Sequence, residues 1–203
     1  MRSLFKGWAN VPVSEAEAAY WDRELDRILK IAVWSVVIIM GGGLGGALLG
    51  WLAWSVPQFA PLTLAALAGL AAGLAWALWR LLEGERSLAA VLLAALVVLC
   101  IIAGFEGAQY RLFIHQLGSE ITARLAAELT VVTPVELPGL IKIVLTRRTG
   151  RGGLVGYYLL RWHSAGPAFL VAWAARVSWT AAAALVVMRV PWVSAGKQND
   201  VQK

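Results

Sequence analysis

Between Ile31 and Trp79 the chain carries no Asp, Glu, Lys or Arg. That absence excludes a water-exposed surface for the whole stretch. A bilayer core takes about 20 apolar residues per helical crossing, so the stretch is long enough for two. Charge is scarce throughout, at 15% of residues, against about 25% in soluble domains. The single cysteine, Cys100, lies in an apolar run and excludes an internal disulfide; it reads as a small packing residue. The two histidines, His115 and His163, are far apart and lack a neighbour at metal-binding spacing, so no metal is expected. The apolar runs hold no Asp, which argues against an intramembrane aspartyl protease. The sequence also lacks a G-x-S-x-G elbow, a Walker pattern, an Asp-rich metal motif and a pair of histidines suited to haem. No internal repeat suggests an inverted-repeat transporter. No cofactor is expected.

What is present is hydrophobic: 60% of residues. The expected fold is all-α, a polytopic helical transmembrane bundle of about four spans plus an interfacial amphipathic helix. Residues 1–30 read as an amphipathic cytoplasmic segment, in which Ser14 and Glu17 form a capping box that starts a helix at Glu15. That helix runs straight on into the first span, about 31–56. Pro57, Gln58 and Pro61 break the apolar stretch, and the second span covers about 62–82. A charged turn around Gly84 leads to a third span, about 88–109. The first apolar run begins too far in, and is too long, for a signal peptide.

Residues 110–166 form a basic connector. Within it Leu112, Ile114, Leu117, Ile121, Leu125 and Leu129 oppose His115, Glu120, Arg124 and Glu128, a periodicity that suits a helix lying in the interface. Pro134 and Pro138 then interrupt the backbone, and residues 139–145 are too few to cross. A fifth crossing near 129–145 would have to accommodate Glu136, Lys142 and both prolines, so four spans are preferred. The last span covers about 167–190, and residues 191–203 form a polar tail.

Lys and Arg favour the cytoplasmic side. With the N-terminus inside, the first three spans place Arg2, Lys6, Arg23, Arg27, Lys30, Arg80 and Arg86 inside and no basic residue outside. The expected location is therefore an inner or plasma membrane, multi-pass, with a cytoplasmic N-terminus. The connector, with Arg111, Arg124, Lys142, Arg147, Arg148, Arg151 and Arg161, then lies outside, against the rule. A net charge of +6 follows from such loops, and no nucleic-acid partner is expected.

Three groups of residues could carry function. Gly42, Gly46 and Gly50 in the first span and Gly69 and Gly73 in the second stand four residues apart. Small residues at that spacing let helix backbones approach closely in lipid. They could pack the first two spans together or bind another chain. Arg176 is the only charge deep in a span, about 13 Å from Pro167 at 1.5 Å per residue. A charge there requires a partner, and Glu106, in the last turn of the third span, sits at the same side of the membrane. Trp173, three residues from Arg176, is a cation–π candidate. Arg147, Arg148 and Arg151 in the glycine-rich TRRTGRGG turn are the candidates for contact with anionic headgroups.

These readings favour a small non-enzymatic membrane subunit whose partners are the lipid bilayer and a copy of itself or a larger membrane complex. The alternative is a small transporter or channel using Glu106 and Arg176. A lipid-modifying enzyme acting near TRRTGRGG and His115 ranks last.

Overall fold

The structure, a computed structural model, describes residues 15–82, 88–127 and 133–189. The capping residue Ser14, segment 1–13, the charged turn at 83–87, residues 128–132 and the tail from 190 onward lie outside the described residues. The described chain contains helices α1 (Glu15–Ser55), α2 (Thr63–Leu81), α3 (Leu88–Ala127), α4 (Leu137–Thr149), α5 (Gly153–Ala165) and α6 (Pro167–Arg189), with a 3-10 turn at Pro57–Leu62 between α1 and α2. No strand occurs among the described residues. The all-α bundle read from the sequence is borne out. Four of the helices, α1, α2, α3 and α6, are long and apolar enough to cross a membrane.

Their surfaces support the same conclusion. In α6 only 11% of the apolar window is buried inside the molecule, yet the outward residues include Leu170, Val171, Trp179 and Leu185. Leu44, Leu92 and Leu99 likewise face outward from α1 and α3. A soluble monomer rarely exposes such contiguous apolar area; hydrocarbon solvates it at no cost.

The helices α1 and α3 make the most extensive contact, followed by α2 and α6. Gly42 meets Val97 and Ile101, Gly46 meets Ile101 and Gly50 meets Phe105. The numbers rise together, so α1 and α3 run parallel. A Cβ at Gly46 would fall on the Ile101 carbonyl oxygen, one at Gly50 on that of Phe105, and one at Gly104 on that of Gly43. The two backbones therefore touch, which only glycine allows. The first two spans do not meet through opposed glycines as expected. Instead α1 faces α2 with Gly45, whose Cβ position lies 2.8 Å from a Leu70 methyl. Gly69 and Gly73 are exposed, with nothing within 4 Å of a built Cβ. The inward face of α2 is Thr63, Leu67, Ala71, Ala75 and Leu78, and the glycines lie on its other side.

Both α1 and α3 are about 60 Å long at 1.5 Å per residue, twice the hydrocarbon thickness. The polar half of α1 is N-terminal and that of α3 is C-terminal, so the two project from opposite ends of the bundle. On the α1 projection Lys30 pairs with Asp26 at 2.6 Å and Arg27 with Glu24 at 4.0 Å. These exposed pairs add little stability. The amphipathic stretch expected to lie in the interface is instead the unbroken continuation of α3 to Ala127. No proline interrupts it, and its apolar face is covered by α4 rather than lipid: Leu117, Ile141 and Leu145 form a small second core with Phe113, Ile121 and Leu137.

Gly46→Leu should destabilise the solubilised protein by about 3 kcal/mol through overpacking, whereas Gly69→Leu should stay within about 0.5 kcal/mol. Thermal unfolding in mild detergent measures both, and equal shifts would contradict the helix pairing.

Candidate functional site

One turn of α3 carries Phe105, Glu106 and Gln109, all buried. They lie toward the upper end of the apolar part of α3, where α5 and α6 cover the helix. Arg176 Nη2 lies 3.0 Å from Glu106 Oε1, with the two side chains only 13% and 8% exposed. The guanidinium carbon sits 5.3 Å from the centre of the Phe105 ring. The cation–π partner is thus Phe105 on α3 and not Trp173. An i,i+3 neighbour lies along α6, while the guanidinium reaches across to α3. Tyr158 on α5 donates a long hydrogen bond, 3.4 Å, to Glu106 Oε2. Three helices therefore meet on one carboxylate.

Aromatic rings enclose this junction. Tyr157 contacts Tyr110, Phe113 and Tyr158 at centroid distances of 5.5, 5.1 and 5.4 Å, and Tyr158 contacts Phe169 at 6.0 Å. Arg161 Nη1 donates to the Tyr157 hydroxyl at 3.2 Å and lies over the Tyr157 and Phe169 rings. Tyr158 lies outside the four spans; its phenol is pushed up to about 12, first by burial and then by the Glu106 charge. It therefore remains a neutral O–H donor at every physiological pH. Among the described residues Gln109 Oε1 and Arg176 Nε are buried without a hydrogen-bond partner, as is the Ser35 hydroxyl elsewhere on α1.

The arginines of the TRRTGRGG stretch do not converge. Helix α4 continues to Thr149, so Arg147 and Arg148 are helical and border a cavity between α3 and α4 together with Glu120 and Arg124. The helix ends where Gly150 adopts φ +74° and its N–H reaches the Thr146 carbonyl at 2.8 Å. Beyond that turn Arg151 faces a different cavity, shared with Lys142. The Thr149 hydroxyl pins the turn, accepting from Arg151 N–H at 3.3 Å and donating to the Arg151 carbonyl at 2.8 Å. His115 and His163 are exposed, and no group of three metal-ligating side chains occurs among the described residues.

Sequence reasoning missed Tyr158, Phe105 and Lys142. The first two are brought to Arg176 from other helices, and no local spacing announces that. Lys142 has a weak signal, a lone cation inside a short apolar segment.

Compared with known proteins, the chain matches no family model, no curated protein and no solved structure.

The arrangement can neutralise a buried charge and tie α3, α5 and α6 together. Removing one partner of a buried ion pair costs about 3–5 kcal/mol, because the other charge is left uncompensated. Arg176→Met and Glu106→Gln should each lower thermal stability by that order. The double variant should be less destabilised than the sum of the two single losses. Strict additivity in the double-mutant cycle would show that the pair does not couple.

Proposed function

We propose that the protein is a non-enzymatic subunit of a homo-oligomeric or larger membrane assembly, in an inner or plasma membrane with its N-terminus cytoplasmic. The observation that carries this reading is the bare outer face of α2. Ala65, Gly69 and Gly73 are exposed at four-residue spacing, with the large Trp76 ring beside them. The same spacing on α1, at Gly42, Gly46 and Gly50, is covered by α3. Glycine weakens a helix relative to alanine, and in lipid small residues at this spacing allow close approach by another helix. Among the described residues no helix covers that face of α2.

The rival reading, a small transporter, needs Glu106 and Arg176 to line a polar path. Their mutual pairing at 3.0 Å, with Phe105 against the guanidinium and Tyr158 on the carboxylate, supports a structural lock instead. A lock pairs the two charges with each other and gives neither a reason to move. The cytoplasmic placement of the N-terminus rests on the basic residues flanking the first three spans.

Light scattering in mild detergent should find the native chain larger than one copy, or co-purifying with another membrane protein. Gly69→Leu together with Gly73→Leu should return it to a single copy with thermal stability unchanged. A native chain that is a clean monomer with no companion would overturn the proposal.

A further inference from the structure

We propose that the protein holds one anionic membrane lipid at the end of the bundle formed by α4 and α5. The headgroup lies between Lys142 and Arg151, and a hydrocarbon chain lies in the groove between α5 and α6.

Two cavities adjoin there. The first, about 820 Å³, lies between α3, α4 and α5 and is bordered by Tyr110, Ile141, Lys142, Leu145, Arg151 and Gly153. The second, about 650 Å³, lies between α5 and α6 and is bordered by Leu159, Trp162, Phe169, Leu170 and Trp173. Val155 borders both, so the two lie on either side of one residue of α5. Each volume falls in the range of small-molecule sites.

Their chemistry divides as an amphiphile does. No carboxylate borders the first cavity among the described residues, and Lys142 and Arg151 are its two charges. Neither cation forms an ion pair with a described carboxylate. The Lys142 stem and the Arg151 backbone are held by the turn, and both side chains are exposed. A Cβ at Gly152 would lie 3.2 Å from Lys142 Cγ, so glycine there lets the lysine stem lie across the turn. The Arg151 backbone is fixed by Thr149. No charged residue borders the second cavity among the described residues. It follows the first two turns of α6, where that helix enters the apolar layer, and Trp162 and Trp173 belong to the residue type that prefers the headgroup level.

This combination selects the occupant. Two cations without a carboxylate partner among the described residues call for an anion. A free anion would leave the aromatic groove beside it unused, and a zwitterionic lipid would bring its own cation to a cavity with no carboxylate to receive it. An anionic headgroup with an attached chain satisfies both parts.

The test is native mass spectrometry of the full chain in detergent, titrated with phosphatidylglycerol, phosphatidylcholine and glycerol 3-phosphate. Phosphatidylglycerol should be retained roughly thirtyfold over phosphatidylcholine, as expected for two basic contacts. The exposed pair Lys142→Gln with Arg151→Gln should reduce that preference to about twofold or less, while Arg124→Gln with Arg148→Gln, at the cavity between α3 and α4, should leave it intact. Trp162→Ala should weaken retention of both lipids. Elution volume and helical circular dichroism should match the native chain in every variant that is compared. Equal retention of the two lipids would overturn the proposal, as would a preference that survives loss of Lys142 and Arg151. Displacement of the lipid by glycerol 3-phosphate alone would overturn it in favour of a soluble phosphate.

Discussion

The backbone contact between α1 and α3 is the constraint on which the rest of the bundle depends. At Gly46, Gly50 and Gly104 the neighbouring carbonyl occupies the space that a Cβ would need. Side chains can adjust to one another by changing rotamer, but main-chain atoms inside two hydrogen-bonded helices cannot. The contact therefore sets both the separation of α1 and α3 and their register. It also makes them parallel, and parallel helices cannot be joined by a short turn. Helix α2 must return across the membrane between them in the chain, and its inward stripe from Thr63 to Leu78 closes the core beside Val97, Val98 and Ile101.

The register has a second consequence. With Phe105 held against α1 at Gly50, the next residue, Glu106, is turned about 100° around α3 and meets Arg176 of α6. A buried charge pair is a poor source of net stability compared with apolar packing, but it discriminates strongly between arrangements. Sliding α6 by one turn would leave a guanidinium and a carboxylate each without a partner in an apolar layer. The glycine seam thus aligns α3, and the ion pair aligns α6 on it. Above that level the polar half of α3 serves as a post. It carries the small core of Leu117, Ile141 and Leu145, and it presents Tyr110 and Phe113 to the Tyr157 ring of α5.

The spans were legible because a bilayer imposes a length and a polarity that composition reports directly. The uncharged stretch before Arg80, and the prolines inside it, mark two helices and the turn between them. The meeting of Glu106 and Arg176 could be anticipated from depth alone, since each sits near the same end of its span. The partners of the glycines could not. Gly42 through Gly50 and Gly69 with Gly73 offer equal faces in sequence, and pairing them is natural when the spans are consecutive. The structure instead joins α1 to α3, and spacing says that a helix can be approached closely without saying by which helix. The arginines of TRRTGRGG look like one cluster because they are adjacent in the chain. Helical rotation through Arg147 and Arg148, and the left-handed turn at Gly150 before Arg151, separate them onto two faces.

Local physics acts on every residue regardless of its distant neighbours. Hydropathy therefore decided, from the sequence alone, that this chain is helical, that four segments suit a bilayer, and that Arg176 needs a counter-charge. Tertiary structure alone decided which glycines are covered and which are bare, that Tyr158 and Phe105 complete the surroundings of the ion pair, and that Lys142 rather than Arg147 borders the same cavity as Arg151. Those outcomes depend on contacts between residues distant in the chain, such as Glu106 with Tyr158 and Arg176. They are set by which backbones can touch, a geometric fact that no single helix contains.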